Sequence, residues 1–359
     1  QWAFFKKADE QKRLYKGTKV MHWDAETETA LAKHELEYKS IKDKSIYLKF
    51  KKKNSKDEYF IIWTTTPWTI PFNLAIMVNP EVDYVKVKSG NEYWILAKDL
   101  VDSVSKVAGK KFKIVDKFKG NKLEGQEYEH FLEGDMDGKY DELKKRWPKV
   151  HSIILSKQYV DTISGTGLVH CAPGSGPEDE EVAREYGIGG YNSLNERGEF
   201  QEGMLKGWTA KIDDEKIIDY LDKKGNLIAT AMVEHDYPHS WRSHKPVIFR
   251  TTEQWFLKTS DLVKKLVEMN KKVKWVPKKS GESYDNWAEN LKDNGVTRQR
   301  FWGCPVPIWV NVSDASDYFV VGSVSELEKL TGKKFNDLNL HKPWIDKIVI
   351  EKDGEKYER

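Results

Sequence analysis

The sequence predicts a mixed fold, a β-barrel domain joined to part of an α/β layer. Between residues 46 and about 228, short runs rich in β-branched and aromatic residues alternate with turn signals such as Asn79-Pro80 and Ser89-Gly90. This spacing favours a closed or sandwiched sheet over alternating strand and helix units. From Val233 onward the order becomes strand, helix, helix, strand, which is typical of an α/β layer. At 359 residues, the chain has room for about two to three domains.

The elements follow from local patterns along the chain. A helix is predicted to open it, because Phe4, Phe5, Leu14 and Tyr15 recur at roughly helical spacing and Lys16-Gly17 closes the segment. Short apolar runs predict strands at 20–23, 36–38, 46–50, 59–65, 74–78, 84–88, 93–97, 112–118, 150–155, 167–171, 247–251, 306–310 and 348–350. Periodic segments predict helices at 141–147, 178–186, 213–223, 260–269 and 283–293.

Composition excludes several classes of protein. Sixty Lys and Arg against 57 Asp and Glu leave a net charge of +3, so any site for a nucleic acid must be local. No apolar run approaches the 18 or so residues that span a bilayer. Two cysteines cannot form a disulfide framework or a four-thiolate zinc site, and the N-terminus lacks an apolar signal core, so we expect a reducing cytoplasm. Because the chain begins with Gln1 and stops in a charged turn, we expect an excised piece of a longer protein.

An unusual threonine-rich string follows the apolar run 60–63. It reads Thr-Thr-Thr-Pro-Trp-Thr-Ile-Pro-Phe-Asn over residues 64–73. Two prolines fix the backbone and cannot donate to a sheet, so the loop leaves the strand as a stiff segment with several free hydroxyls. Threonines are also common in ordinary strands and turns, and composition does not decide between a binding loop and a structural one.

A second string, Gly-Thr-Gly-Leu-Val-His-Cys-Ala-Pro-Gly-Ser-Gly-Pro-Glu-Asp-Glu, covers residues 165–180. A strand ends near His170, a glycine loop follows, and a helix is predicted to begin near Pro177. Asp179 would then lie in the first helical turn, where the helix dipole favours carboxylates whatever their function. The glycine spacing does not match a dinucleotide-binding fingerprint, which excludes that class of site.

Together the two strings resemble the isoleucyl-tRNA synthetase family, whose threonine-rich peptide and glycine loop line an editing pocket. The form Thr66-Pro67-Trp68-Thr69 is similar to the isoleucyl members rather than to the valyl and leucyl ones. The segments 237–242, 250–256 and 298–305 look like the family's return into its Rossmann-like core. The resemblance implies a β-barrel editing domain inserted into part of that class I synthetase core.

The resemblance also implies a division of the chain. We expect an opening helix and knuckle-like linker at 1–45, the editing domain at 46–228, a return linker at 229–250, a partial catalytic-core segment at 251–310 and the start of a second insertion at 311–359. The family's His-x-Gly-His and Lys-Met-Ser-Lys-Ser loops are absent, so the ATP and Mg²⁺ used by the parent enzyme are not expected to act on this piece.

Zinc is not expected at the knuckle. Where family members often carry paired cysteines, this sequence has Asp24, Thr27, Ser240 and Ser243, so thiolate ligation is excluded there. Imidazole and carboxylate groups nearby leave a weaker metal site open in principle. They are His22, Asp24, His239 and His244.

The resemblance implies roles for the pocket residues. Asp179 would anchor the α-ammonium of the substrate, and His170 would wall the side-chain pocket and clash with the extra methyl of isoleucine. Trp68 and Asn73 would contact substrate, Asn73 through a ribose or adenosine hydroxyl. The hydroxyls expected to bind the ester or the attacking water belong to Thr64, Thr65, Thr66 and Thr69. The implied reaction is hydrolysis of valine from tRNA(Ile), by a monomer that needs no cofactor.

Three alternatives stay open. The chain could be a tRNA-binding module that has lost hydrolysis, and Cys171 beside His170 suggests a Cys-His hydrolase, although neighbouring strand residues point to opposite faces. A lysine-rich stretch with interleaved aromatics at 106–122 fits either phosphate contact or an ordinary solvated face. Its tRNA-binding candidates are Lys110, Lys111, Lys113 and Lys117.

Overall fold

The computed structural model describes residues 1–359. The chain divides into two compact units, the larger formed by residues 19–252 and the smaller by residues 1–18 and 253–359. The predicted editing domain, 46–228, lies inside the larger unit. No helix is long and apolar enough to cross a membrane.

Strands and helices are numbered in chain order. The strands are β1 (Leu14–Asp24), β2 (Thr29–Leu31), β3 (Leu36–Lys52), β4 (Glu58–Thr64), β5 (Ala75–Val78), β6 (Asp83–Ser89), β7 (Glu92–Ala97), β8 (Lys113–Lys119), β9 (Tyr128–Glu129), β10 (Ser152–Leu155), β11 (Leu168–Cys171), β12 (Leu227–Ser240), β13 (Ile248–Leu257), β14 (Asn294–Gly295), β15 (Ile308–Asn311), β16 (Tyr318–Val320), β17 (Ile350–Lys352) and β18 (Glu355–Glu358). The helices are α1 (Trp2–Glu10), α2 (Val101–Ala108), α3 (Lys139–Arg146), α4 (Pro177–Glu185), α5 (Asp214–Lys223), α6 (Val263–Asn270), α7 (Lys279–Glu289) and α8 (Val324–Thr331).

Six strands of the larger unit close into a barrel. Strand β3 pairs with β4, β4 with β11, β11 with β5, and β5 with β10. The segment around β9 completes the ring, because Glu127 bridges Ser152 of β10 while β9 pairs with the end of β3. Closure leaves no free edge in this part of the sheet, which is the usual way that antiparallel domains avoid edge-to-edge pairing. The predicted β-barrel is therefore present.

Two extensions leave the barrel. The first half of β4 also pairs with β7, and β6 and β8 continue that sheet outward, with β8 as its last strand. The second is a long two-stranded ribbon in which β12 pairs with β3, from Leu48 opposite Leu227 to Leu36 opposite Ser240. The ribbon includes residues 229–240, the first half of the segment that we expected to form a return linker.

The core of the larger unit is filled by large side chains from barrel strands β3 and β4, from the threonine-rich loop and from β7. Phe50, Phe60, Trp68, Phe72 and Trp94 are all inaccessible to solvent. Burying a phenylalanine side chain contributes about 1.5–3 kcal/mol, so this cluster stabilises the barrel strongly. The threonine-rich loop packs against this core, since every residue of its 3₁₀ turn, Pro67–Phe72, is buried.

The smaller unit combines helices with antiparallel strands. Strands β15 to β18 form a four-stranded sheet in the order β16-β15-β18-β17, around a core that includes Trp309 and Leu327. The indole N–H of Trp309 donates to the carbonyl of Ile348 at 2.7 Å. Helices α6 and α7 pack together through Asn270, whose amide N–H groups donate to Gly281 O and to the carboxylate of Asp285. The chain thus has the mixed β and α/β content that the sequence predicted.

Most of the predicted strands and helices are confirmed to within a few residues. Several features differ from the prediction. Helices α2 and α8 and strand β12 were not predicted, and the opening helix ends at Glu10, so that Leu14 and Tyr15 lie in β1 instead. The expected strands at 36–38 and 46–50 are the two ends of one 17-residue strand, β3. The long strand was hidden because its middle, Lys39 to Lys44, is polar except for Ile41 and contains no buried residue.

Candidate functional site

Strand pairing brings the two unusual strings of the sequence together. Strand β4 ends at Thr64, and Trp63 just before it lies opposite Val169 of β11. On the other side of β11, His170 lies opposite Ile76 of β5. Both strings therefore reach the same end of the barrel, although about 100 residues separate them in the chain.

The threonine hydroxyls form a connected cluster. Thr66 Oγ1 lies 3.1 Å from Thr64 Oγ1 and 3.2 Å from Thr69 Oγ1, and the hydroxyl of Thr69 donates to Thr66 O at 2.7 Å. Thr64 and Thr69 are buried, whereas Thr65 and Thr66 are half-buried. Of the three hydroxyls in the cluster, that of Thr66 therefore belongs to the most accessible residue, whereas Thr65 makes none of these bonds.

His170 is held from both sides of its ring. Nε2 lies 2.9 Å from Thr69 Oγ1, and Nδ1 lies 2.8 Å from Asn73 Nδ2. The residue is buried, and burial lowers the pKa of its imidazole to about 3. At neutral pH the ring is therefore uncharged, since taking a cation out of water without a compensating anion is unfavourable.

Asp179 lies in the first turn of α4, but its carboxylate turns back toward β11. Oδ2 accepts a hydrogen bond from Ala172 N at 2.9 Å. The residue as a whole is half-buried, while its carboxyl group is enclosed by protein atoms. Desolvation raises the pKa of this carboxyl to about 7, and the nearby charge of Glu178 adds to the effect. No lysine or arginine forms an ion pair with it, so the carboxylate has one hydrogen-bond donor and would gain by pairing with a cation.

Gly176 makes room for this arrangement. A Cβ atom at that position would lie 2.7 Å from Asp179 Oδ2. The glycine therefore allows the loop to close over the carboxylate, a role that explains one glycine of the string without a phosphate-binding loop.

Cys171 does not pair with His170. Its thiol is buried, lies 3.8 Å from Asp179 O, and has a pKa raised by desolvation. Both ring nitrogens of His170 are used by other partners. The geometry therefore gives no support to a Cys-His nucleophile, since that chemistry requires a thiolate activated by the imidazole.

Two of the predicted substrate contacts lie beneath the surface of the site. Asn73 is inaccessible to solvent, and both its amide nitrogen and its amide oxygen have protein partners. Trp68 is also inaccessible, and its indole N–H has no partner. In this conformation Asn73 supports His170 and has no group left for a ribose hydroxyl.

Four buried aromatic donors under the threonine loop were not predicted. His130 Nε2 lies 3.2 Å from Ile70 O, Tyr140 OH donates to Pro71 O at 2.9 Å, and His151 Nε2 lies 3.3 Å from Asn73 O. The fourth, Tyr128 OH, donates to the side-chain oxygen Asn73 Oδ1 at 2.5 Å. These bonds fix the backbone of the 3₁₀ turn from below. The sequence carries no clear signal for them, because Tyr128 and Tyr140 each stand between charged residues.

The lysines predicted to contact tRNA lie on or just before the outermost strand, β8. Two of them have local partners, since Lys110 Nζ lies 4.7 Å from the centre of the Trp94 ring and Lys117 Nζ lies 2.9 Å from Asp83 Oδ2. All four are exposed, namely Lys110, Lys111, Lys113 and Lys117.

The knuckle residues are used in local hydrogen bonds. Asp24 Oδ1 accepts from Glu26 N at 3.0 Å, and Ser240 Oγ accepts from Arg242 N at 3.2 Å. His244 Nδ1 lies 2.9 Å from a carboxylate oxygen of Glu37. No group of three or more His, Cys, Asp or Glu residues is placed to hold a metal ion.

Comparison with known proteins identifies the family of the chain. The family model described as "tRNA synthetases class I (I, L, M and V)" matches residues 1–359. The chain belongs to this synthetase family. The resemblance stated from the two strings is thereby confirmed at the level of the family.

Two curated relatives of the chain are isoleucine–tRNA ligases. The chain is 41% identical over 388 aligned positions to an isoleucine–tRNA ligase of Thermococcus kodakarensis, covering 100% of this chain and 36% of the relative. It is 41% identical over 365 positions to that of Methanocaldococcus jannaschii, covering 97% of this chain and 35% of the relative. The chain thus spans about a third of the length of the relatives it matches.

One similar solved structure is the editing domain of the P. knowlesi cytosolic leucyl-tRNA synthetase. It is 10% identical, with a TM-score of 0.40, over 54% of this chain and 97% of that one. A likeness at this level supports no conclusion about function.

Proposed function

We propose that the chain is the editing part of an isoleucyl-tRNA synthetase and hydrolyses valine that has been wrongly esterified to tRNA(Ile). The products are free valine and a tRNA whose terminal ribose hydroxyl is restored. Membership of the synthetase family supports the class of substrate. The need for such a step is physical, because a hydrophobic pocket weighs one methylene at only about 1–3 kcal/mol, a limit first worked out on enzymes of this family and taken over here.

One observation carries the proposal. The carboxylate of Asp179 forms no ion pair and accepts from Ala172 N, two residues after His170, whose ring bonds Thr69. An aminoacyl ester presents an α-ammonium and a reactive carbonyl a few bonds apart. A carboxylate without a cation and a cluster of hydroxyls, both joined to the end of β11, complement these two features, since charge-assisted hydrogen bonds orient the ammonium while neutral donors face the ester.

The proposed chemistry uses water as the nucleophile. Asp179 binds the α-ammonium and fixes the orientation of the valyl group. The half-buried Thr65 and Thr66 bind the attacking water or the oxygen that becomes negative when water adds to the ester carbonyl. The bond between the carbonyl carbon and the ribose oxygen then breaks. The ribose oxygen takes up the proton that the attacking water loses. No cofactor is required, and the exposed lysines of β8 are proposed to contact tRNA phosphates.

The direct test is to incubate the chain with valyl-tRNA(Ile) and isoleucyl-tRNA(Ile) side by side and to measure the release of each amino acid. We expect hydrolysis of the valyl ester and sparing of the isoleucyl ester. Binding of both tRNAs without hydrolysis of either would identify the alternative, a tRNA-binding module without activity. Addition of valyl-adenylate in a parallel series measures whether the site also accepts the substrate before transfer.

The chain alone is expected not to activate amino acids. The two sequence loops that the family uses to handle ATP do not occur in its 359 residues. With ATP, Mg²⁺ and isoleucine, exchange of pyrophosphate into ATP should not exceed that of a blank without protein. Exchange that depends on isoleucine would contradict this expectation.

Hydrolysis is expected to depend on pH through Asp179. The carboxyl has a pKa raised to about 7, and only its anionic form binds the α-ammonium. The value of kcat/KM for valyl-tRNA should therefore fall as the pH decreases through about 7. The measurement is a pH profile at low substrate concentration, corrected for spontaneous hydrolysis of the ester. In Asp179→Asn the corrected profile should lose this step, and a step that persists would assign it to another group.

A further inference from the structure

We infer that Tyr128 is a positioning residue that acts through Asn73 to hold His170 in the tautomer with its proton on Nε2. Tyr128 lies on β9, outside both strings that identify the site, and is almost wholly buried. The tautomer itself is independent of any substrate. Only the kinetic consequence rests on the proposed hydrolysis.

The orientation of the Asn73 amide is fixed by two neighbours of defined chemistry. The carbonyl of Ala75 can only accept, so the group 2.9 Å from it must be the amide nitrogen, Nδ2. The amide oxygen then faces Tyr128 OH, which donates to it at 2.5 Å. Asn73 therefore presents its second N–H to His170, at 2.8 Å from Nδ1.

This orientation selects the tautomer of His170. Because Nδ1 accepts from Asn73, it carries no proton, and the proton of a neutral imidazole must sit on Nε2. The buried ring is neutral, since burial lowers its pKa to about 3. Nε2–H then donates to Thr69 Oγ1, 2.9 Å away.

The tautomer in turn sets the direction of the hydroxyl cluster. With a donor at Nε2, the hydroxyl of Thr69 is free to donate to Thr66 O at 2.7 Å, as observed. Thr69 Oγ1 then remains available to accept from the hydroxyl of Thr66 at 3.2 Å. In the other tautomer Nε2 would accept the proton of Thr69 and the bond to Thr66 O would be lost. Tyr128 thus influences the half-buried hydroxyls without touching them.

Loss of the Tyr128 hydroxyl should weaken the preference for the tautomer of His170 with its proton on Nε2. In Tyr128→Phe the buried side-chain oxygen of Asn73 loses its hydrogen-bond donor. An unpaired buried acceptor is strongly unfavourable. Rotation of the Asn73 amide turns the oxygen toward His170, which then presents Nδ1–H, but it also sets that oxygen against the carbonyl of Ala75. Because the Ala75 carbonyl opposes the rotation, we expect the ratio of the two tautomers to shift toward the Nδ1–H form by about tenfold rather than to invert.

The experiment is long-range ¹H–¹⁵N correlation spectroscopy on the uniformly ¹⁵N-labelled 359-residue chain. The signals of His170 are identified by their absence from His170→Gln. In the wild type we expect Nδ1 to have the shift of an unprotonated nitrogen and Nε2 that of a protonated one. In Tyr128→Phe the two shifts should move toward each other. Tyr140→Phe is the matched control, because it removes a buried hydroxyl that bonds Pro71 O and not Asn73.

Several results would overturn the inference. They are a proton on Nδ1 in the wild type, unchanged shifts in Tyr128→Phe, or equal changes in Tyr140→Phe. The wild-type result does not depend on Tyr128→Phe, so a folding defect in that variant leaves the test of the tautomer in place. For hydrolysis we expect kcat to fall about tenfold in Tyr128→Phe while KM stays within about twofold. A wild-type chain that does not hydrolyse valyl-tRNA would contradict the proposed function and leave the tautomer result in place.

Discussion

Replacing Asp179 with asparagine is expected to reduce hydrolysis of valyl-tRNA(Ile) by about 30- to 5,000-fold. Removing the charge of one partner from an enclosed ion pair costs about 2–5 kcal/mol, which converts to that range. The asparagine side chain has nearly the same shape and can still accept from Ala172 N. The loss should therefore reflect the missing charge on the substrate's anchor, and the measurement is kcat/KM at about pH 8.

The same substitution should not reduce stability. The pKa of the Asp179 carboxyl in the folded chain lies above that of an unfolded one, so its contribution to folding is most favourable at low pH and is lost as the pH rises through about 7. Above that pH the folded chain carries an unpaired anion, which asparagine removes. We expect the melting temperature of Asp179→Asn at pH 8 to equal or exceed that of the wild type.

Glu178→Gln provides the matched control for the anchor. Glu178 is the neighbouring carboxylate in the same helical turn, and it is exposed. It should show hydrolysis within about twofold of the wild type, since an exposed charge at a helix start contributes under about 1 kcal/mol. Equal losses in the two variants would indicate a general effect of negative charge near the tRNA. Activity of Asp179→Asn close to that of the wild type would contradict the role of Asp179 as the anchor of the substrate's α-ammonium.

The sequence supported the barrel and the location of the site because those features depend on local patterns. Short apolar runs separated by turns specify strands, and the two strings stood at strand ends. Thr64, Thr66 and Thr69 could be proposed from a single loop. Their connection to His170 could also be anticipated, since the family resemblance placed both strings in one pocket.

The supporting layer could not be predicted in the same way. Tyr128, His130, Tyr140 and His151 contact the threonine loop only because the barrel closes between β9 and β10. No local pattern distinguishes such a tyrosine from one that simply fills a core. Asn73 shows the same limit, because its position in the string suggests a substrate contact while its burial makes it a link between side chains. Whether a polar group faces solvent or the interior is decided by tertiary packing.

Replacing His170 with alanine is expected to change the specificity of hydrolysis more than its rate. If the ring excludes isoleucine by its bulk, its removal opens space for one more methyl group, a clash of about 1–3 kcal/mol. The ratio of isoleucyl-tRNA to valyl-tRNA hydrolysis should then rise by roughly one to two orders of magnitude. The two rates are measured in parallel, and their ratio is the result.

The ratio separates bulk from hydrogen bonding, because His170 also bonds Thr69 and Asn73. Loss of those bonds in His170→Ala should slow both substrates alike and leave their ratio unchanged. Tyr128→Phe disturbs the same hydrogen bonds while keeping the ring, so it should lower both rates without raising the ratio. A higher ratio in His170→Ala but not in Tyr128→Phe would therefore assign exclusion of isoleucine to the bulk of the ring. Equal ratios in both variants and the wild type would contradict the steric role and leave His170 as the group that orients the threonine hydroxyls.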